Sequence, residues 1–215
     1  MTVDKALLDK VYNASDYEEL MDAYRDWAPA YDQNLVQDFG YVGYRICVEL
    51  LDRYLERDTS VHILDAGCGT GLAGEVLYSL GYVNLEGLDY SQDMLDVAGQ
   101  KGVYTRRINA DLSQPLSIPD NTYDAVICVG TFTYAHVTAE AFNELIRITK
   151  PGGMICFTIR EGCYEDYGYR PEMVRLEAER AWELLEMRDE EYYKDKVRAK
   201  MCLYKVLSSN ESIHL

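Results

Sequence analysis

Three glycines at alternate positions directly after a short apolar run constrain this chain most. Residues His62-Ile63-Leu64 lead into Asp65-Ala66-Gly67-Cys68-Gly69-Thr70-Gly71. Glycine lets the backbone turn sharply and leaves no Cβ between main chain and ligand. Strand and helix signals then alternate: strand near 62–66, helix 72–80, strand 85–90, helix 91–100, strand 105–111, strand 123–129, helix 139–149 and strand 154–160. Such alternation predicts an α/β fold with a parallel sheet covered by helices on both faces and right-handed crossovers. A ligand of such a sheet lies across the carboxyl ends of its strands.

Both flanks add to this core. Ser15-Asp16-Tyr17-Glu18 has capping-box spacing, which predicts a helix over 16–27. Ala28-Pro29-Ala30-Tyr31-Asp32 should break it, and Tyr44, Cys47, Val48, Leu51 and Tyr54 mark a second helix over 41–55. After residue 160, Pro171 opens a predicted helix over 171–181. Strand-like stretches at 182–187 and 197–206 follow, joined by a charged connection Arg188-Asp189-Glu190-Glu191. Two successive strands without a helix between them suggest an antiparallel pair closing the sheet. Residues 208–215 read as a frayed polar tail. We expect one domain over 1–215, with N-terminal helices and lid at 1–57, a cofactor-binding core at 58–160, and a C-terminal helix with antiparallel strands at 161–215.

Charge and cysteine usage narrow the partners. Lys and Arg number 21 against 37 Asp and Glu, a formal net charge of −16. An acidic surface repels phosphate backbones, so nucleic acid is not expected as a substrate. No apolar run approaches the ~20 residues that span a bilayer, and the N-terminus shows no secretory signal, so no membrane partner is expected. The six cysteines form no C-x-x-C pair and read as reduced thiols, with no metal site. The expected location is the cytosol, with the nucleus as the alternative, and the expected state a monomer.

The glycine turn can be read two ways. Gly69-Thr70-Gly71-Leu72-Ala73-Gly74 is a full G-x-G-x-x-G, with Asp89 20 residues after Gly69, the dinucleotide-fingerprint spacing. Against an NAD oxidoreductase stand three features: glycine already begins at Gly67, Asp65 sits at a strand end where pyrophosphate is unwelcome, and a further acid, Asp111, ends the third strand. Acids at Asp65, Asp89 and Asp111 suit a positively charged ligand without phosphate. S-adenosylmethionine is one, since its ammonium and sulfonium favour carboxylates and aromatic faces. Asp89 would accept from both ribose hydroxyls and Asp111 from the adenine amino group.

At this point the chain resembles the class I S-adenosylmethionine-dependent methyltransferases over about residues 15–160. The resemblance rests on the 64–71 turn, Gly87-Leu88-Asp89-Tyr90-Ser91, Asn109-Ala110-Asp111-Leu112, Tyr123-Asp124-Ala125-Val126-Ile127 and Lys150-Pro151-Gly152-Gly153. It implies a three-layer, doubly wound, Rossmann-like seven-stranded sheet, mostly parallel with one antiparallel strand near the C-terminus. It implies S-adenosylmethionine as cofactor, S-adenosylhomocysteine as product and no metal. Its cofactor-binding set would be Asp65, Gly67, Gly69, Gly71, Asp89, Tyr90, Ser91, Met94, Ala110, Asp111, Leu112, Val129 and Thr131, with Met94 against the adenine. Trp27-Ala28-Pro29-Ala30-Tyr31-Asp32 and Gly130-Thr131-Phe132-Thr133-Tyr134-Ala135-His136-Val137 resemble a narrower group, the relatives of the methyltransferase-like protein of the Williams–Beuren syndrome critical region.

Tyr24, Trp27 and Tyr31 recur at helical spacing, which fits a core-facing stripe. The resemblance implies instead that at least one of Tyr24, Trp27 and Tyr31 belongs to a lid on the cofactor. A general base is needed only if the acceptor must lose a proton. His136 is the candidate, because it follows strand four, and a loop histidine bonded to backbone is the competing reading. Asn/Asp-Pro-Pro-Tyr/Phe and Pro-Cys signatures of base-methylating enzymes are missing from the 128–131 stretch, and Cys128 reads as core. The acceptor is expected to be a small molecule or a protein side chain. The acids and tyrosines of 161–169 could cover its pocket and hint at a cationic or aromatic acceptor. A non-catalytic cofactor-binding module is the alternative. Nineteen tyrosines against four phenylalanines have no explanation in the sequence.

Overall fold

The computed structural model describes residue 10 and residues 17–133, 137–193 and 197–208. The expected Ser15 cap and the 209–215 tail lie outside the described residues.

Helix α1 (Tyr17–Trp27) runs into a 3-10 turn (Ala28–Ala30) and then a π-helical stretch (Gln33–Asp38) before α2 (Gly43–Tyr54). The expected break at 28–32 is therefore a change of helical pitch: Pro29 sits in the first turn of the 3-10 segment, where a missing N–H costs nothing. The alternating core follows as β1 (Ile63–Ala66), α3 (Leu72–Ser79), β2 (Leu85–Asp89), α4 (Gln92–Lys101), β3 (Arg106–Asn109), β4 (Tyr123–Phe132), α5 (Ala141–Ile148) and β5 (Thr149–Arg160). The chain continues through α6 (Cys163–Asp166), α7 (Tyr169–Ala178), β6 (Trp182–Glu191) and β7 (Arg198–Val206).

The strands form one seven-stranded sheet in the order β3-β2-β1-β4-β5-β7-β6. β1 to β5 pair in parallel, while β7 runs antiparallel between β5 and β6. The order reverses at β1 and β4, which opens a crevice at their carboxyl ends. Side chains alternate across the pleat. Ile63, Ile127, Cys156 and Leu203 enter a core under α2 and α3, and Leu64, Val126, Phe157 and Tyr204 enter one under α5 and α7. Cys128 is fully buried, as expected of a core residue.

Two expectations change. Arg188-Asp189-Glu190-Glu191 is the end of β6, not a connection. β6 is the sheet's edge strand with few buried positions, so it tolerates charge on both faces. β3 ends at Asn109, which places Asp111 in the following turn.

Candidate functional site

One cavity sits over the carboxyl ends of β1, β2 and β4. Of the expected residues, Asp65, Gly67, Gly69, Asp89, Tyr90, Met94, Ala110, Asp111, Leu112, Val129, Thr131, Tyr24 and Tyr31 line it.

The glycine turn is built from tertiary demands as well as local ones. Gly67, Gly69 and Gly71 all have positive φ, at 73°, 52° and 91°. A Cβ on Gly67 would lie 2.2 Å from Thr131 Oγ1, so β4 could not approach β1 as closely. A Cβ on Gly69 would meet nothing within 4 Å. Its backbone therefore faces open space, the cradle a ligand needs. Gly71 is the N-cap of α3 and does not line the cavity. Gly74 lies inside α3, where a Cβ would fall 2.3 Å from the Tyr104 hydroxyl oxygen and 2.4 Å from its Cζ. The third glycine of the G-x-G-x-x-G thus makes room for a tyrosine of this chain, and that match needs no dinucleotide.

The acids differ in environment. Asp89 Oδ2 accepts from Gly69 N–H at 2.8 Å and Oδ1 from Ser91 N–H at 2.9 Å. Burial raises its pKa, and backbone donors at Ser91, Gly69 and Tyr90 oppose that. Asp65 is 2% exposed and accepts from the Tyr104 hydroxyl at 2.5 Å. Burial pushes its pKa up to about 7, with the Asp89 charge acting in the same direction and Tyr104 against. Asp111 Oδ1 accepts from Ser113 N–H at 2.8 Å. Ser91 is the N-cap of α4, its Oγ accepting from Met94 N–H at 3.3 Å. Ser91 therefore holds Asp89 and Met94 in place and does not itself line the cavity.

The N-terminal aromatics separate. Tyr24 and Tyr31 line the cavity, with ring centroids 6.3 Å apart. Trp27 is 1% exposed, and its Nε1 donates to Asn34 Oδ1 at 3.0 Å below the π-helical stretch. It follows the core-stripe reading and does not reach the cavity. Asp32 ties this segment down: it accepts from Thr70 Oγ1 of the glycine turn and from Lys101 Nζ, the latter at 2.6 Å.

His136 lies outside the described residues. Thr133 and Val137, which flank it in sequence, both line the cavity. His62 sits at the other end of β1, 3.2 Å from Glu86 Oε1.

Sequence reasoning missed a tyrosine wall of this cavity. Tyr41, Tyr44, Tyr192 and Tyr193 line the cavity, not residues 161–169. Tyr41 and Tyr192 hydroxyls meet at 3.2 Å. The tyrosine surplus was the signal: seven tyrosines converge on this one cavity. Among the described residues its lining includes three Asp and no Lys, Arg or His. No three His, Cys, Asp or Glu side chains among the described residues are grouped to hold a metal ion. No helix among them is long and apolar enough to cross a membrane.

Residues 64–157 match the family described as a methyltransferase domain. The surrounding sheet is the class I S-adenosylmethionine-dependent methyltransferase fold. A TehB-like S-adenosylmethionine-dependent methyltransferase from Corynebacterium glutamicum superposes with TM-score 0.64 at 20% identity, over 86% of this chain and 99% of that one. A chain from the complex of Haloferax volcanii Trm112 methyltransferase activator with a methyltransferase gives TM-score 0.65 at 15% identity, over 86% and 98%. These two show the fold alone.

By sequence, the chain is similar to human Methyltransferase-like protein 27, 37% identical over 158 residues, which is 73% of this chain and 64% of that protein. This agrees with the narrower resemblance noted in the Trp27 and Gly130 segments. A malonyl-[acyl-carrier protein] O-methyltransferase from Buchnera aphidicola is 35% identical over 124 residues, 57% of this chain and 49% of that protein. The matches thus span less than two thirds of these curated relatives.

Proposed function

We propose that this protein is an enzyme that binds S-adenosylmethionine and transfers its methyl group to a small-molecule or protein side-chain acceptor. The observation that carries this reading is the convergence of Asp65, Asp89 and Asp111 with the open Gly69 backbone on one crevice. The residues fit the cofactor. Each Asp89 oxygen already accepts one backbone N–H. A carboxylate offers about four acceptor sites; with the Tyr90 N–H also bearing on Asp89, capacity remains for a ribose hydroxyl. Met94 and Leu112 supply apolar surface for a flat base, and Asp111 an acceptor for its amino group. Asp65 presents its carboxylate to positive charge.

When bound, S-adenosylmethionine supplies an electrophilic methyl group on a sulfonium centre. The chain's work is then alignment and exclusion of water. Asp89 anchors the ligand against the glycine turn, and Tyr24 and Tyr31 close the N-terminal side. His136 would take a proton from an acceptor that must lose one.

The G-x-G-x-x-G match adds little for a dinucleotide, because Gly74 is accounted for by packing against Tyr104 and the crevice is lined by three Asp. The test is incubation with methyl-labelled S-adenosylmethionine and fractionated small-molecule and protein pools, with Asp89→Ala as control. Label should move to an acceptor with the wild type and not with the variant. Equal transfer by the variant contradicts the assignment.

A further inference from the structure

Four tyrosines that no cofactor role absorbs crowd together at the end of β4. Tyr41 lies 5.5 Å from Tyr44, 4.8 Å from Tyr192 and 5.2 Å from Tyr193, centroid to centroid. Tyr192 and Tyr193 are 5.1 Å apart. Two come from the entrance to α2 and two from the chain after β6, about 150 residues apart in sequence (192 − 41 = 151). All four line the cavity. Gly130, with φ of 78°, is the floor beneath them: a Cβ there would lie 3.0 Å from the Tyr192 hydroxyl oxygen and 3.3 Å from that of Tyr41. The next residue, Thr131, touches Gly67 of the glycine turn. The tyrosine wall therefore adjoins the donor crevice.

We propose, resting on the methyl-transfer reading above, that this wall is the acceptor subsite and that it selects an amine, delivered as its ammonium cation, over a carboxylate. Ring faces attract cations, and phenol oxygens accept hydrogen bonds from N–H groups. Burial, reinforced by the neighbouring tyrosines, pushes the Tyr41 phenol up, so it stays neutral. The same cavity holds Asp65, Asp89 and Asp111 and, among the described residues, no Lys, Arg or His. An anionic acceptor would surrender its hydration there and, among the described residues, find no cation in the lining; Arg45 is committed to Tyr44, its Nε donating to the phenol oxygen at 3.0 Å. A cation meets ring faces and carboxylates together.

The transfer balances. The ammonium first releases one proton to water, which frees a lone pair on nitrogen. That lone pair forms the new N–C bond while the S–C bond breaks, its electron pair remaining on sulfur. The product leaves with its nitrogen one methyl richer and positively charged.

The test is calorimetric titration of the protein saturated with S-adenosylhomocysteine, using probes of similar shape: phenethylamine, phenethyltrimethylammonium and 3-phenylpropanoate. Both cations should bind roughly tenfold or more tighter than the carboxylate. Tyr41→Leu and Tyr192→Leu should erase that preference, leaving S-adenosylhomocysteine affinity within about threefold, while Tyr41→Phe and Tyr192→Phe retain it through their ring faces. Equal or tighter binding of the carboxylate overturns the proposal. So does the absence of binding by all three probes, or a preference that survives in folded leucine variants. If a leucine variant does not fold, the wild-type ranking still decides. Failure of S-adenosylhomocysteine to bind wild type counts against the methyl-transfer reading itself and is read separately, before any probe is added.

Discussion

Tyr104 donates its phenolic hydroxyl to the buried carboxyl of Asp65 at 2.5 Å, and its ring fills the space that the missing side chain of Gly74 leaves in α3. One tyrosine thus explains both a glycine inside α3 and the environment of a buried acid. In Tyr104→Phe the ring stays but the donor is lost, leaving a buried oxygen without its partner. The expected cost is about 1–3 kcal/mol, measured as a lower urea midpoint with unchanged slope.

Gly74→Ala tests the packing half of the same relationship. Alanine favours a helix interior by about 1 kcal/mol, but its Cβ would sit 2.3 Å from the Tyr104 hydroxyl oxygen and 2.4 Å from Cζ. Overpacking of that kind costs about 1–3 kcal/mol, so the net change is destabilising. Combined with Tyr104→Leu, the cost should fall well short of the sum of the two single changes, because the clash has gone. Additive losses in urea unfolding would contradict the packing account.

Asp65 should make both stability and ligand affinity depend on pH. Its folded pKa of about 7 lies above the ordinary 3.8. Between those values the folded chain holds a proton that the unfolded chain releases, so stability falls as pH rises through that window and levels above it. A positive ligand favours the carboxylate, so binding expels the proton. S-adenosylmethionine affinity should therefore rise from about pH 6 to pH 8. Asp65→Asn should flatten both profiles, read by denaturant melts and calorimetry.

Trp27 and Tyr31 should part company despite their equivalent spacing in sequence. Trp27→Phe strips Asn34 of a buried donor and should destabilise the protein by about 1–2 kcal/mol. Tyr31→Phe should leave stability nearly unchanged and weaken ligand binding. A weaker ligand with intact stability in Trp27→Phe would restore its role in the lid.

Asp32 couples the N-terminal segment to the glycine turn through Thr70 and to α4 through Lys101. Asp32→Ala should raise amide exchange across 21–38 and lower S-adenosylmethionine affinity by roughly tenfold, with little change in the global melt. Unchanged exchange in that segment would show that the contact does not hold it.

The parallel core was legible because buried strands leave short apolar runs and glycines leave unmistakable turns. Ile63 to Ala66, Asp89 and the 67–71 turn all lie where local pattern puts them. Edge strand β6 was not legible at its charged end, since an edge strand needs no apolar face. The tyrosine wall was not legible either. Tyr41 and Tyr192 meet through the placement of β7 beside β5, a tertiary fact that no local spacing encodes. Trp27 illustrates the converse: a stripe at helical period says which residues share a face, not which of them stop at the core.

The central claim is that Asp89 and its neighbours hold S-adenosylmethionine. Calorimetric titration of wild type and Asp89→Ala with S-adenosylmethionine, S-adenosylhomocysteine and NADH tests it most directly. Binding of the first two to wild type, lost in the variant, with no binding of NADH, is the predicted result. Binding of NADH alone, or of none of the three, would contradict the account.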